Sequence, residues 1–213
     1  LINIYKPSKV VIVNTGDGLD DPEGKIYEGQ SDHQDLKYEE QIIAYQKALI
    51  DFILAIYDYQ PNIEFITIPG NHSSSQVNYD ILTARQVEMI LDRYDSVTFD
   101  TEKKKFKTRQ INGYNYVFTH GEDLRTGTNT RENDLLNLIN RLGYQKSKTY
   151  VLQGHLHHLE KQGQGYRHIL LPSIVGADDL SANIMNTGSR AGQMAFVLND
   201  EGIEIEKYTY FGE

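Results

Sequence analysis

The sequence contains no cysteine and no long apolar run. Without cysteine the chain cannot form disulfide bonds or bind metal through thiolates, which fits a reducing compartment. We therefore expect the cytoplasm. The longest mostly apolar stretch, residues 48–57, carries Asp51. A membrane-spanning helix needs about 20 apolar residues, so we expect no association with a membrane.

The sequence is also short of positive charge. Its 21 Lys and Arg residues stand against 30 Asp and Glu residues, which leaves a formal net charge of −9. Nucleic acids and anionic membranes attract clustered cationic charge, so the composition as a whole favours neither. The basic run over residues 103–109 is predicted to be a solvated surface. A local basic groove, or bound metal ions, would supply the positive charge for a phosphate substrate.

The pattern of strands and helices predicts the fold class. A length of 213 residues indicates a single domain. Strands alternate with helices and hairpins follow, one of which is predicted to turn at Asn112-Gly113. This pattern indicates an α/β fold with both parallel and antiparallel pairing. The first five residues are typical of the last turn of a helix, because Pro7 would end it. The predicted helices cover residues 36–59, 78–94 and 132–142, and the predicted strands cover residues 10–13, 63–68, 97–99, 106–111, 114–119, 149–153, 169–171 and a closing hairpin over 193–210.

Metal-competent side chains follow four of the predicted strands. In open α/β sheets, ligands bind at the carboxyl ends of the strands. Taken singly, each motif has a plainer explanation: a turn, a helix cap, or a strand-end histidine held by a hydrogen bond. Their occurrence together favours one site. The motifs are Gly16-Asp17-Gly18-Leu19-Asp20, Gly70-Asn71-His72, His120-Gly121 and Gly154-His155-Leu156-His157-His158.

The donor types of these motifs indicate a particular chemistry. Carboxylate, amide oxygen and imidazole suit borderline divalent ions such as Mn, Zn, Fe and Ni. Two such ions about 3.5–4 Å apart clamp a phosphoryl group and activate a water molecule. On chemistry alone, the motifs predict phosphoester hydrolysis at a two-metal site.

The order of the four motifs resembles that of the calcineurin-like metallophosphoesterases, from about residue 7 to the closing hairpin. The resemblance implies a two-sheet αββα sandwich of mixed parallel and antiparallel strands, formed by one metallophosphoesterase domain over residues 1–213. It also implies an enzyme that hydrolyses phosphomono- or diester bonds through a metal-bridging hydroxide. The segment 173–179 resembles one in phage-encoded members of the family.

The same resemblance implies a role for each site residue. Asp17 would bridge two divalent ions, for which manganese is expected, with Zn, Fe and Ni as alternatives. His72 would contact the phosphoryl oxygen and protonate the leaving group, and Asp20 would orient it. A cationic imidazole beside a carboxylate is a sensible general acid. The remaining implied ligands are Asn71, His120 and His155 at the second metal and His157 at the first.

The sequence departs from the family pattern in two places. No Asp-x-His motif lies upstream of Asp17, and Asp32-His33 has the wrong spacing to replace it. We expect that the family's first strand precedes Leu1, so that this chain is truncated at its N-terminus and has weak or no activity. Ser73 stands where the family commonly has Asp or Glu, and Asp21 argues against the phosphoprotein phosphatase branch, which has Arg there.

Several alternatives stay open. The resemblance implies a phosphoester substrate but leaves its type open, because nucleases, cyclic-nucleotide diesterases and nucleotide phosphohydrolases all use such a core. A non-catalytic binding or scaffold module on the same fold, with an incomplete metal site, is the rival interpretation. A structural domain with scattered histidines is the third. The sequence does not indicate an oligomeric state.

Overall fold

The computed structural model describes residues 1–20, 34–72, 77–125, 127–157, 160–162, 164–175 and 190–211. The chain divides into two units, unit 1 over Leu1–Lys105 and unit 2 over Phe106–Glu213. Unit 1 contains one β-sheet and unit 2 contains two, and each unit also contains helices. The prediction of a single domain over residues 1–213 stays a prediction.

Unit 1 is built on a parallel sheet of three strands in the order β1-β2-β3. The central strand β2 is buried at Ile63, Phe65, Ile66 and Thr67, as expected of a parallel strand that is covered on both faces. The elements of unit 1 are α1 (Ile2–Tyr5), β1 (Val10–Asn14), α2 (Tyr38–Tyr57), β2 (Ile63–Thr67), α3 (Tyr79–Ile90) and β3 (Val97–Asp100).

The core of unit 1 holds α3 against the sheet. Ile53 of α2 and both Ala84 and Val87 of α3 are fully buried in one cluster with Phe65. Asn78 caps α3, because its side chain accepts a hydrogen bond of 3.0 Å from the backbone N–H of Ile81. Truncating a buried phenylalanine to alanine costs about 3–5 kcal/mol, so we expect the packing of Phe65 to contribute strongly to the stability of this core.

Unit 2 contains a mixed sheet of five strands in the order β4-β5-β6-β8-β7 and a two-stranded antiparallel hairpin of β9 and β10. Strands β5, β6 and β8 are parallel, and β4 and β7 join antiparallel at the edges. The elements of unit 2 are β4 (Phe106–Ile111), β5 (Tyr114–Thr119), α4 (Thr128–Arg141), β6 (Thr149–Gln153), β7 (Glu160–Gln162), β8 (Arg167–Leu170), β9 (Gly192–Asn199) and β10 (Gly202–Tyr210).

The core of unit 2 lies between α4 and the sheet. Leu135 and Ile139 of α4 are fully buried with Val117 of β5 and Val151 of β6. The predicted turn at Asn112-Gly113 joins β4 to β5, and both of its residues have positive φ, at 50° and 79°. Such a turn matches the twist of a hairpin, so the local sequence determines this connection.

The mixed α/β class is confirmed, with parallel and antiparallel pairing both present. Several element bounds differ from the prediction by a few residues, and one strand was not predicted. Helix α4 begins at Thr128 rather than near 132, since its first turn is polar and shows no apolar period. Strand β7 was not predicted, because Glu160–Gln162 is a three-residue polar edge strand. Within the described residues, every helix is too short or too polar to cross a membrane.

Candidate functional site

Two of the predicted loops meet in unit 1. Strands β1 and β2 are parallel neighbours with Asn14 paired to Thr67 at their carboxyl ends. The loop with Asp17 follows β1, and the loop with Asn71 and His72 follows β2. Because parallel strands end at the same sheet edge, these loops lie side by side, as the strand-end pattern predicts.

The ring of His72 lies between two carboxylates. Its Nε2 is 3.8 Å from Oδ2 of Asp17, and its Nδ1 is 3.6 Å from Oδ1 of Asp20. These are ion-pair separations, longer than a hydrogen bond. The side chain of Asp17 is 9% exposed and that of Asp20 is 52% exposed. A cationic imidazole at this place is attracted by both carboxylates, and water screens the attraction to Asp20 more strongly.

The glycine before Asn71 is required by the packing of Asp17. A Cβ at Gly70 would lie 2.1 Å from Oδ1 and 2.2 Å from the backbone N of Asp17. The backbone N–H of His72 then donates a hydrogen bond of 2.9 Å to the same Oδ1. Gly70 therefore permits the close approach that joins the loop of His72 to Asp17.

A third carboxylate, Asp80, connects these loops and was not identified from the sequence. It lies in the first turn of α3 and is 2% exposed. Its oxygens accept hydrogen bonds from the backbone N–H groups of Asp17, Gly18 and Gly70, at 3.2, 2.9 and 2.9 Å. Burial raises the pKa of Asp80, although the bonds from Gly18 and Gly70 act in the opposite direction. The sequence gives one indication of this role, which is that Asp80 is an acidic residue in the first turn of the helix that follows the Gly70-Asn71-His72 loop.

The side chain of Asn14, the last residue of β1, forms several hydrogen bonds that fix the end of this strand. The side chain of Asn14 donates to the hydroxyl of Tyr45 and, at 3.0 Å, to Oγ1 of Thr67, and it accepts from the backbone N–H of Gly16 at 3.2 Å. Burial and the nearby carboxylate of Asp80 raise the pKa of Tyr45 well above its ordinary value. Tyr45 therefore stays a neutral phenol, which suits a hydroxyl that accepts from Asn14.

The other two motifs meet in unit 2. His120 follows β5, and Gly154 to His157 follow β6, the parallel neighbour of β5. The rings of His120 and His155 lie edge to face with their centroids 4.9 Å apart. His120 is buried, whereas His155 and His157 are partly exposed. A buried histidine beside partly exposed ones at a strand end is an arrangement that a divalent ion would fit.

Gln153 supports this pair of loops and was also missed. It is fully buried, and its Oε1 lies 2.9 Å from Nε2 of the buried His168. A Cβ at Gly121, whose φ is 108°, would lie 2.3 Å from Nε2 of Gln153. Gln153 therefore packs directly under the His120-Gly121 turn, and the buried ring of His168 supports Gln153 from the next strand.

Backbone strain coincides with the predicted ligands. Among the described residues, five that are not glycine have positive φ, and three of these are Asp17 at 56°, His155 at 68° and His157 at 55°. A left-handed conformation costs a residue with a Cβ about 1–2 kcal/mol. Such strain concentrates at functional sites, where the surrounding structure maintains it.

The donor chemistry of these residues fits a divalent metal. Unit 1 offers the carboxylate of Asp17 and the amide oxygen of Asn71, and unit 2 offers the imidazoles of His120, His155 and His157. Nitrogen and oxygen donors of this kind suit Mn, Zn, Fe or Ni. Five further residues named from the sequence lie outside the described residues: Asp21, Asp32, His33, Ser73 and His158.

Comparisons with known proteins found similar solved structures. No protein-family model matches the chain, and no curated protein matches it. Vps29 of Entamoeba histolytica complexed with zinc is 15% identical, with a TM-score of 0.42, over 70% of this chain and 81% of that one. Vacuolar protein sorting 29 of Cryptosporidium parvum is 12% identical, with a TM-score of 0.40, over 95% of this chain and 97% of that one.

A third similar structure is a conserved uncharacterized protein of Streptococcus pneumoniae, described as a predicted phosphoesterase. It is 9% identical, with a TM-score of 0.41, over 94% of this chain and 97% of that one.

Proposed function

We propose that this chain is a metal-dependent phosphoesterase that hydrolyses phosphomono- or diester bonds. The observation that carries the proposal is the setting of His72 between Asp17 and Asp20, with its Nδ1 3.6 Å from Asp20. An imidazole that faces a carboxylate on one side and a predicted metal ligand on the other is suited to protonate a leaving group beside the metal.

The proposed ligands are those implied by the motif order. Asp17 would bridge two divalent ions, and Asn71, His120 and His155 would complete the second position, with His157 at the first. Manganese is the expected ion, and Zn, Fe and Ni are alternatives with the same donor preference. When bound, the ions would supply Lewis acidity and lower the pKa of a water molecule.

The protein residues then have separable tasks. The backbone N–H of His72 donates a hydrogen bond to Oδ1 of Asp17, so the main chain at His72 is attached to Asp17 through a group other than the ring. Asp20 attracts Nδ1 and orients the ring, which leaves the proton on Nε2 for the oxygen of the leaving group. Because Asp20 is half exposed, its contribution to holding the ring is modest.

The substrate class is a phosphoester, and nucleotides and nucleic acids both remain within it. The net charge of −9 disfavours long duplexes, which reward clustered cationic charge. Short or single nucleotides require only the positive charge that the metal ions would supply.

The test is hydrolysis of bis(p-nitrophenyl) phosphate by the chain in the presence and absence of Mn²⁺. Because the first metal position would keep only Asp17 and His157, we expect weak turnover, which depends on Mn²⁺, is lost with a chelator, and falls further in His72→Ala. Equal rates for the wild type and His72→Ala would refute the proposed mechanism. Tight binding of Mn²⁺ by calorimetry without any turnover would instead favour the non-catalytic binding module.

A further inference from the structure

Asp80 connects two loops that lie far apart in the sequence. Its Oδ1 accepts from the N–H of Gly18 at 2.9 Å, and its Oδ2 accepts from the N–H of Gly70 at 2.9 Å and of Asp17 at 3.2 Å. One buried side chain therefore holds the loop after β1 and the loop after β2 at the same time.

We propose that Asp80 is a positioning residue that sets the placement of Asp17 relative to Asn71 before any metal binds. It acts through backbone N–H groups, and no role for it follows from the four motifs. The proposal deepens the proposed function and, for its effect on metal affinity, rests on it.

A carboxylate is the side chain that this position requires. Three N–H donors share two oxygens, whereas asparagine would offer one oxygen and an NH₂ group that cannot accept. Hydrogen bonds to a charged acceptor are roughly twice as strong as neutral ones. The first turn of a helix also stabilises a negative charge. These terms oppose the cost of burial, which raises the pKa of Asp80.

Two side chains at the N-terminus of α3 bind the backbone N–H and the backbone carbonyl of Gly70. While Asp80 accepts from the N–H of Gly70, Nδ2 of Asn78 donates to the carbonyl of Gly70 at 3.1 Å. Both side chains stand on a helix that Ala84 and Val87 anchor in the core. A site supported by a packed helix keeps its geometry better than one supported by loops alone.

A small displacement of Gly70 would also displace the side chain of Asp17. The two residues are so close that a Cβ at Gly70 would lie 2.1 Å from Oδ1 of Asp17, the same oxygen that accepts from the N–H of His72. Release of the bonds to Asp80 would therefore shift a predicted ligand and the predicted acid together. The strands below would keep their pairing.

The first experiment needs no metal. Amide hydrogen exchange in the metal-free 213-residue chain is followed by NMR for Asp80→Asn and for the control Thr83→Val. Thr83 lies on the same helix and is fully buried, and its hydroxyl has no hydrogen-bond partner within the described residues. We expect faster exchange at Asp17, Gly18 and Gly70 in Asp80→Asn only, with the amides of β2 unchanged. Unchanged exchange at those three amides overturns the proposal.

The second experiment measures Mn²⁺ affinity of the same proteins by calorimetry. Changes to residues that orient metal ligands typically cost about 10- to 100-fold in affinity, and we expect a loss of this size in Asp80→Asn but not in Thr83→Val. Equal affinity in Asp80→Asn overturns the positioning role. A wild-type chain that binds no Mn²⁺ overturns the proposed function instead, and the exchange experiment still decides whether Asp80 holds the two loops.

If Asp80→Asn does not fold, Asp80→Glu replaces it. Glutamate keeps both acceptor oxygens but moves them outward by one methylene. We expect exchange at Asp17, Gly18 and Gly70 that is faster than in the wild type, with the fold retained. Identical exchange at all three amides would show that the placement of the carboxylate does not matter and would overturn the proposal.

Discussion

The backbone N–H of His72 donates a hydrogen bond of 2.9 Å to Oδ1 of Asp17. This bond joins the residue proposed as general acid to the residue proposed as metal bridge, across 55 positions of sequence. The loop after β1 and the loop after β2 are therefore joined directly. A substitution that displaces one loop should also displace the other.

Substitution of Gly70 should disturb Asp17 and His72 together. In Gly70→Ala the new Cβ would collide with Asp17, and overpacking of this kind costs about 1–3 kcal/mol. We expect a lower free energy of unfolding in urea and shifted amide signals for Asp17 and His72. Gly113→Ala is the control, because its Cβ meets nothing within 4 Å and only its φ of +79° is strained. Amide signals of Asp17 and His72 that do not move in Gly70→Ala would contradict the observed packing.

Replacement of the proposed acid should lower the rate of hydrolysis more than replacement of the residue that orients it. Loss of a general acid lowers a rate by about 10²–10⁴-fold, and we expect this for His72→Ala in Mn²⁺-dependent hydrolysis of an aryl phosphodiester. In Asp20→Asn we expect a much smaller loss, because an exposed ion pair contributes about 0.2–1 kcal/mol. Addition of salt should reduce the difference between Asp20→Asn and the wild type. A rate for Asp20→Asn as low as that for His72→Ala would show that orientation by Asp20 dominates.

Metal should stabilise the folded chain. A ligand at 100 times its Kd contributes about 2.7 kcal/mol to the free energy of unfolding, so Mn²⁺ should raise the Tm and a chelator should reverse the rise. His155→Ala and Asp17→Asn should lose most of this shift, since each removes a proposed ligand. Arg93→Ala is a matched control at the surface, as Arg93 contacts the ring of Tyr94 rather than either loop. A full Mn²⁺ shift in His155→Ala would exclude His155 as a ligand.

Acid should weaken the ion pair between Arg125 and Asp134 of α4. The Arg125 guanidinium donates to both carboxylate oxygens of Asp134 and lowers the pKa of that carboxyl. A folded-state pKa below the unfolded value of about 3.9 means that the stabilisation is present above that pH and is lost as the pH falls through the folded value. We expect Asp134→Asn to show a weaker loss of stability in acid than the wild type, measured by urea unfolding at several pH values. Because the pair is exposed, high salt should reduce the difference; an identical pH dependence would show that this ion pair does not contribute.

Much of the architecture could be predicted because it depends on short-range patterns. Residues 10–13 and 63–68 are mostly β-branched or apolar and end in glycine-containing loops, and strands form there over Val10–Asn14 and Ile63–Thr67. Asn112-Gly113 predicted a hairpin and forms one. Short polar segments could not be predicted: the edge strand Glu160–Gln162 has no apolar period, and pairing with β8 alone makes it a strand.

The sequence by itself determined which donor types follow which strands, since motif order and strand endings are local properties of the chain. Only the tertiary structure decided what holds those donors. Asp80 and Gln153 act on backbone N–H groups or on glycine positions distant in sequence, and a hydrogen bond to the main chain leaves no trace in the identity of the residue that donates it. The sequence shows a glycine at position 70 but does not show why it is needed. The carboxylate of Asp17 occupies the space that a Cβ at this position would take, and this contact forms only when β1 and β2 lie side by side.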